Sequence, residues 1–200
     1  MQDLPALLAT VDAVLFDWDG TLADTHAAHY HSLSETLAPH GITVDQDWFT
    51  TATGMSTVDS IEWLSHTQGI PLDDRLAELV EECETRYLSH LDVVSEITWV
   101  ADIAKYCHGR IPIAVASGGC ANSIRQTMKH LRLDPYFDTL VSREDVERGK
   151  PAPDIFELAA ERLGVTPQRC LVIEDSDAGI EAAHRVGASV LDVRDGRPTP

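Results

Sequence analysis

Three short apolar runs in this chain stop abruptly on polar side chains. Residues 13–16 (Ala-Val-Leu-Phe) end at Asp17, residues 111–116 end at Ser117, and residues 170–173 end at Glu174 and Asp175. Short runs without polar alternation suit strands buried on both faces, as in a parallel sheet covered by helices. Two more short strands are expected at 138–141 and 189–193. Helical patterns separate them: 100–107, a stretch from after Gly119 to about Leu131, 152–163 with Pro153 in its first turn, and 176–186. The C-terminal half therefore reads β-α-β-α-β-α-β, and the first strand joins it. The expected fold class is α/β, a doubly wound parallel sheet.

Between the first and second strands the pattern changes. Tyr30, Leu33 and Leu37 recur at helical spacing, and Gly41 closes the segment. Ser56-Thr57-Val58-Asp59 reads as a capping box before the stripe of Val58, Ile61 and Leu64, which Gly69 ends. Leu72, Leu76, Leu79, Val80, Cys83, Tyr87 and Leu91 form a longer stripe. No strand is evident here. The expected organisation is an α/β core of 1–23 and 93–200, with an inserted α-helical cap over 24–92.

The formal net charge is −18. That argues against nonspecific binding to nucleic acid or to an anionic membrane, both of which reward positive surfaces. A small phosphorylated substrate remains open, because a few local cations and a metal can reverse the field inside a cleft. Cysteines 83, 107, 120 and 170 make no Cys-x-x-Cys pair, so neither a zinc site nor a disulfide framework is expected. No signal-peptide pattern opens the chain, and no apolar run approaches the ~18 residues of a membrane span. The expectation is a cytoplasmic protein, monomeric or a small homo-oligomer.

The strand-end residues suit phosphoryl transfer. Asp17 is a carboxylate able to attack phosphorus. Asp17 and Asp175 can hold Mg²⁺ through oxygen, with the main-chain carbonyl of Asp19 completing the set. Lys150, in the loop after the third core strand, supplies positive charge, and the Ser117 hydroxyl supplies a hydrogen bond. Gly118 and Gly119 let the backbone approach an anion closely. Asp19 stands two residues past the nucleophile, placed to protonate a leaving oxygen and then to take a proton from water.

The segments Phe-Asp-Trp-Asp-Gly-Thr-Leu, Val-Ala-Ser-Gly-Gly, Gly-Lys-Pro-Ala-Pro-Asp-Ile-Phe and Val-Ile-Glu-Asp-Ser-Asp-Ala-Gly-Ile-Glu-Ala-Ala resemble the four motifs of the haloacid dehalogenase-like hydrolases. They resemble the branch with a helical cap after the first motif. The resemblance implies Asp17 as nucleophile, Asp19 as acid/base, Ser117 and Lys150 as phosphate ligands, and Asp175 as a metal ligand. It leaves open whether Glu174 is a ligand or supports one. His29 matches a histidine of the cap hinge in the β-phosphoglucomutase group.

The superfamily hosts several reactions. Aspartate at 19 argues against dehalogenases, which lack it, and against ion-pumping ATPases, which carry threonine there. Phosphonoacetaldehyde hydrolases use a cap lysine, and no lysine precedes Lys105. Against a mutase, Thr57 stands where those enzymes carry an arginine for a second phosphate. Thr21 replaces their aliphatic residue, and Gly119 replaces a hydroxyl. The expectation is a phosphatase of small phosphomonoesters, sugar phosphates foremost, similar to the fructose-1-phosphate / 6-phosphogluconate phosphatase group. A mutase is the alternative, and a catalytically idle binding homologue is the rival from another class.

Overall fold

The structure, a computed structural model, describes residues 4–52 and 54–195. In chain order the regular elements are α1 (Leu4–Leu8), β1 (Ala13–Phe16), β2 (Ala23–Asp24), α2 (His26–Leu37), α3 (Gln46–Thr51), α4 (Thr57–Gln68), α5 (Leu76–Ser89), β3 (Ser95–Glu96), α6 (Thr98–Cys107), β4 (Ile113–Ala116), α7 (Ala121–His130), β5 (Thr139–Val141), α8 (Asp154–Leu163), β6 (Cys170–Glu174), α9 (Asp177–Arg185) and β7 (Ser189–Asp192). They divide between two compact units, residues 1–24 with 96–200, and residues 25–95.

The first unit is built on a five-stranded sheet in the order β5-β4-β1-β6-β7, parallel at every pairing. From β1 the chain steps outward through β4 to β5, then crosses back to β6 and β7. The order reverses between β1 and β6, and in open α/β sheets ligands bind beyond the carboxyl ends of the strands at such a switch point. Phe16 pairs with Val115 on one side and Ile173 on the other, so Asp17 emerges level with Glu174.

Burial explains the unalternating runs. Every residue of β1, β4 and β6 is buried. Ala13, Leu15, Ala114, Ala116, Cys170 and Val172 pack with Ile155, Phe156, Ala159 and Ala160 of α8 and with Ala182 and Ala183 of α9. Val14, Phe16, Val115, Leu171 and Ile173 alternate with that row and are fully buried as well. Both faces are thus covered, the condition for a parallel sheet. A Leu15→Ala change would cost about 2–5 kcal/mol.

Several boundaries shift from expectation for physical reasons. β4 starts at Ile113 rather than 111, because Pro112 has no N–H for the ladder. α8 starts at Asp154, with Pro153 at its N-cap instead of in its first turn. β6 continues through Glu174. The short elements α1, α3, β2 and β3 had no signature in the sequence.

The second unit is α-helical. Leu33, Leu37, Ile42, Ile61, Leu64, Leu79 and Cys83 form its core. Ser56 caps α4 through the Asp59 N–H at 3.1 Å and also donates its own hydroxyl to the Asp59 carboxylate at 2.6 Å. Gly41 and Gly69 end their helical segments in the left-handed region. The four cysteines are free thiols, and burial pushes Cys107 and Cys170 up to about 11, so they carry little thiolate. Among the described residues no helix is long and apolar enough to cross a membrane.

Candidate active site

Asp17 lies one residue past β1, fixed by its N–H donating to the Ile173 carbonyl at 3.0 Å. Its side chain is 9% exposed, and Lys150 donates to its Oδ1 at 2.5 Å. The same Lys150 Nζ donates to Glu174 Oε1 at 2.6 Å and sits 5.2 Å from the centre of the Phe156 ring. One buried ammonium therefore joins carboxylates from two adjacent strand ends.

After Asp17 the chain coils tightly. The Trp18 carbonyl accepts from the N–H groups of Leu22 and Ala23, each at 3.0 Å, and the Trp18 side chain is packed at 1% exposure. Gly20 has φ +80°, and any Cβ there would collide with the Asp175 carboxylate, so glycine is required twice over. The coil brings Asp19 Oδ2 to 3.5 Å from the Ser117 hydroxyl. It also brings the Thr21 hydroxyl to Asp175 Oδ1 at 3.0 Å.

Ser117 follows β4 and is held by its N–H donating to the Val141 carbonyl at 3.0 Å. Its Oγ accepts from the Gly119 N–H at 3.1 Å. Gly118, between them, is exposed. On the other flank Glu174 is wholly buried. Its Oε2 accepts from the Asp175 and Ser176 N–H groups at 2.8 Å and from the Ser176 hydroxyl at 3.0 Å. A Cβ at position 179 would collide with this carboxylate, which accounts for Gly179 in α9.

The electrostatics follow from crowding. Burial raises Asp17 well above the usual carboxylate range, Lys150 pulls the other way, and Glu174 and Asp175 push upward again. Burial, then Glu174, pushes Asp175 up to about 6. Burial alone would lower Lys150, but Asp17 and Glu174 hold it well above its ordinary value. Three carboxylates, those of Asp17, Glu174 and Asp175, here share one ammonium, that of Lys150. Oxygens of Asp17, Glu174 and Asp175 lie within 4.8 Å of one another. An all-oxygen set with no imidazole or thiolate fits a hard divalent ion.

The structure brings together Asp17, Asp19, Ser117, Gly118, Lys150 and Asp175, all within the sheet unit. The Asp19 carboxylate faces Ser117 and Gly119 and stands outside the acidic trio, whose third member is Glu174. His29 belongs to the helical unit, on α2, with its ring stacked on Tyr87 at 4.4 Å and 26°. Sequence reasoning missed the bond from Thr21 to Asp175 and the pairing of Glu174 with Lys150. Residues 154 and 24 positions apart offer no local signal.

Known proteins resemble this chain over most of its length. The family described as haloacid dehalogenase-like hydrolase matches residues 14–193. The chain is 36% identical to the fructose-1-phosphate phosphatase YqaB of Escherichia coli (strain K12), over 90% of this chain and 95% of that protein. Among solved structures it is similar to CbbY from Rhodobacter sphaeroides in complex with phosphate, at 26% identity and a TM-score of 0.82, covering 90% of this chain and 84% of that one. It is also similar to a β-phosphoglucomutase from Clostridium difficile, at 25% identity and a TM-score of 0.78, covering 91% and 84%.

Proposed function

The chain belongs to the haloacid dehalogenase-like hydrolases, and from that premise we propose that it is a Mg²⁺-dependent phosphatase of small phosphomonoesters, sugar phosphates foremost, acting through an aspartyl phosphate on Asp17. The observation that carries this reading is a buried carboxylate pinned by Lys150 at 2.5 Å, with a second aspartate on the adjoining coil. Asp17 attacks phosphorus while Asp19 gives its proton to the departing ester oxygen. Asp19 then takes a proton from water, the water oxygen attacks phosphorus, and the bond to Asp17 breaks, freeing phosphate. Lys150, the Ser117 hydroxyl and the Gly118 N–H receive the phosphoryl oxygens.

Asp17, Asp175 and the main-chain carbonyl of Asp19 would hold the metal, which supplies the positive charge that lets one carboxylate approach a phosphate dianion. Glu174 is better read as a positioning residue. Both of its oxygens already accept from protein donors, and the pairing aims Lys150. Thr21 orients Asp175 in the same manner.

Residues 25–95 are read as a cap that selects the substrate and excludes bulk water. Arg75 and Arg86 are the only Lys or Arg side chains there. Arg86 is bonded to Glu82 at 2.9 and 2.7 Å and to Glu35 at 3.4 Å, and Arg75 to His40 at 2.9 Å. Both cations of the insert are thus engaged, which favours a phosphatase over a mutase that must grip a bisphosphate by both ends.

The test is a panel of sugar phosphates with Mg²⁺, following phosphate release and isomer formation together. Release without isomers is expected, isomer formation would support a mutase, and silence on every substrate, an activated aryl phosphate included, would sink both. Asp17→Asn is expected to lower kcat by ~10⁴-fold or more, and turnover near wild type would overturn the mechanism.

A further inference from the structure

The backbone does not ask for glycine at 119. Its φ lies outside the left-handed region, unlike that of Gly20, Gly41 or Gly69, so that torsion is open to residues with a Cβ. What a side chain would meet accounts for the glycine instead. A Cβ at 119 would lie 3.2 Å from Asp19 Oδ2, 3.4 Å from Ser117 Oγ and 3.4 Å from Ile124 Cδ1. At Gly118 a Cβ would meet nothing within 4 Å. Of the two adjacent glycines, only the second borders the Asp19 carboxylate.

The neighbours of that Cβ differ in how readily they yield. Residue 119 is anchored through both of its peptide groups. Its N–H donates to Ser117 Oγ at 3.1 Å, and its carbonyl accepts from the Arg143 N–H at 3.1 Å. Ser117 is tied in turn to the Val141 carbonyl at 3.0 Å, and Ile124 is buried on α7. The Asp19 carboxylate is the far end of a side chain, and the Ser117 hydroxyl donates to it across a long 3.5 Å. A methyl group at 119 would therefore push the carboxylate aside by a few tenths of an ångström and leave the loop in place. Gly20 and Gly179 make the same kind of room for Asp175 and Glu174, but a Cβ at either would collide outright. Position 119 is the one of the three where alanine can fold and still press on its acid.

A displacement of that size acts on one step more than on the others. Under the proposed mechanism Asp19 protonates the departing ester oxygen. General acid catalysis requires the two oxygens within about 2.6–3.2 Å of each other, and a 1 Å misplacement can cost ~10²-fold in rate. A sugar alkoxide depends on receiving that proton, whereas a nitrophenolate, a far weaker base, leaves without it.

We propose that Gly119 is a positioning residue for Asp19: its missing side chain leaves the carboxylate its place beside the Ser117 hydroxyl, and so sets how well the site expels a poor leaving group. This rests on the phosphatase reading and deepens it, by assigning control of the leaving-group step to a residue that takes no part in the proton transfer itself.

The experiment compares wild type with Gly119→Ala on two esters in the presence of Mg²⁺, the best hexose phosphate of the panel and p-nitrophenyl phosphate. The ratio kcat/KM reads each reaction up to departure of the leaving group. For the hexose phosphate it is expected to fall about tenfold in Gly119→Ala, while for the aryl ester it stays within about threefold of wild type. A loss shared equally by both esters, as damage to the phosphate site would give, overturns the proposal, and so does no loss on either. The same substitution is then made in Asp19→Asn. If Gly119 acts through Asp19, adding Gly119→Ala there should change the hexose phosphate value by less than about twofold, and a repeated tenfold loss counts against it. Should wild type hydrolyse neither ester, the phosphatase reading falls, and crystal structures of wild type and Gly119→Ala judge the positioning by itself. An Asp19 carboxylate shifted away from position 119 in the variant supports it, and a carboxylate that has not moved overturns it.

Discussion

In the sheet unit Asp17, Ser117 and Asp175 each follow directly on a strand whose register is set by its neighbours, and Lys150 reaches them from the loop between β5 and α8. In the helical unit the polar side chains bond to nearby backbone groups or to one another. The two ion-pair systems show the contrast. Lys150 is 10% exposed and bridges Asp17 at 9% and Glu174 at 0%, whereas Arg86 and Glu82 of the insert are 36% and 37% exposed. Under the proposed mechanism the first arrangement aims a charge at the reaction centre, and its two carboxylates share that one cation. The second is a solvated i,i+4 pair of the kind that contributes little. Under the proposed function, chemistry belongs to the unit that buries its charges, and selection to the helical insert.

Removing one cation from each unit sharpens this contrast and carries the largest effect. Lys150→Ala leaves Asp17 and Glu174 as neighbouring buried carboxylates. Breaking a buried pair costs about 3–5 kcal/mol, and kcat/KM should fall by ~100-fold or more. The Arg86→Ala change should cost about 1 kcal/mol or less. Urea denaturation of both variants at pH 7 measures the difference. If the two melt alike, the Lys150 pairing does not organise the site.

A smaller effect is set by pH, and it too should be confined to the sheet unit. Asp175 is pushed up to about 6 in the metal-free protein, and Asp17 is raised as well. A carboxyl whose folded value exceeds its unfolded one binds more protons folded than unfolded between the two values. Stability therefore falls as pH rises from about 4 through about 6, the span set by Asp175. For Asp175 this is on the order of 2 kcal/mol, reduced by solvent at its exposed edge. Bound Mg²⁺ should remove the penalty, so its stabilisation should be larger at pH 7.5 than at pH 5. Thermal melts with and without Mg²⁺ at both values provide the check, and a stabilisation that is greater at pH 5 would contradict the assignment of Asp175.

What was legible in the sequence follows the same division. Asp17, Ser117, Glu174 and Asp175 could be placed because an apolar run ending on a polar residue marks a strand end, and parallel strands align their ends. Lys150 was findable from its place after the third core strand. The pairings were not. Glu144 reaches Ala121 across 23 residues, and nothing local distinguishes it from Glu147, a few residues further along. In the insert, α3 was invisible because Gln46–Thr51 is too short to show a helical period, and at the insert's two ends in the sequence β2 and β3 are two residues each. Such elements are set by tertiary contacts rather than by propensity.

His29 tests the division from the insert's side, with the smallest expected effect. It lies on α2, half-buried, its ring stacked on the buried ring of Tyr87 at 4.4 Å. A ring pair of this kind contributes about 0.5–1.5 kcal/mol, so His29→Ala should lower stability by that amount. Turnover of an activated aryl phosphate, which makes little demand on substrate selection, should stay within about threefold of wild type. His29→Phe preserves the stack and should recover most of the lost stability, which a hydrogen-bonding or proton-transferring role would not allow. If both variants instead lost kcat by ~30-fold or more while folding normally, the insert would be supplying chemistry as well as selection. The separation between a reacting sheet unit and a selecting helical unit would then have to be redrawn around His29.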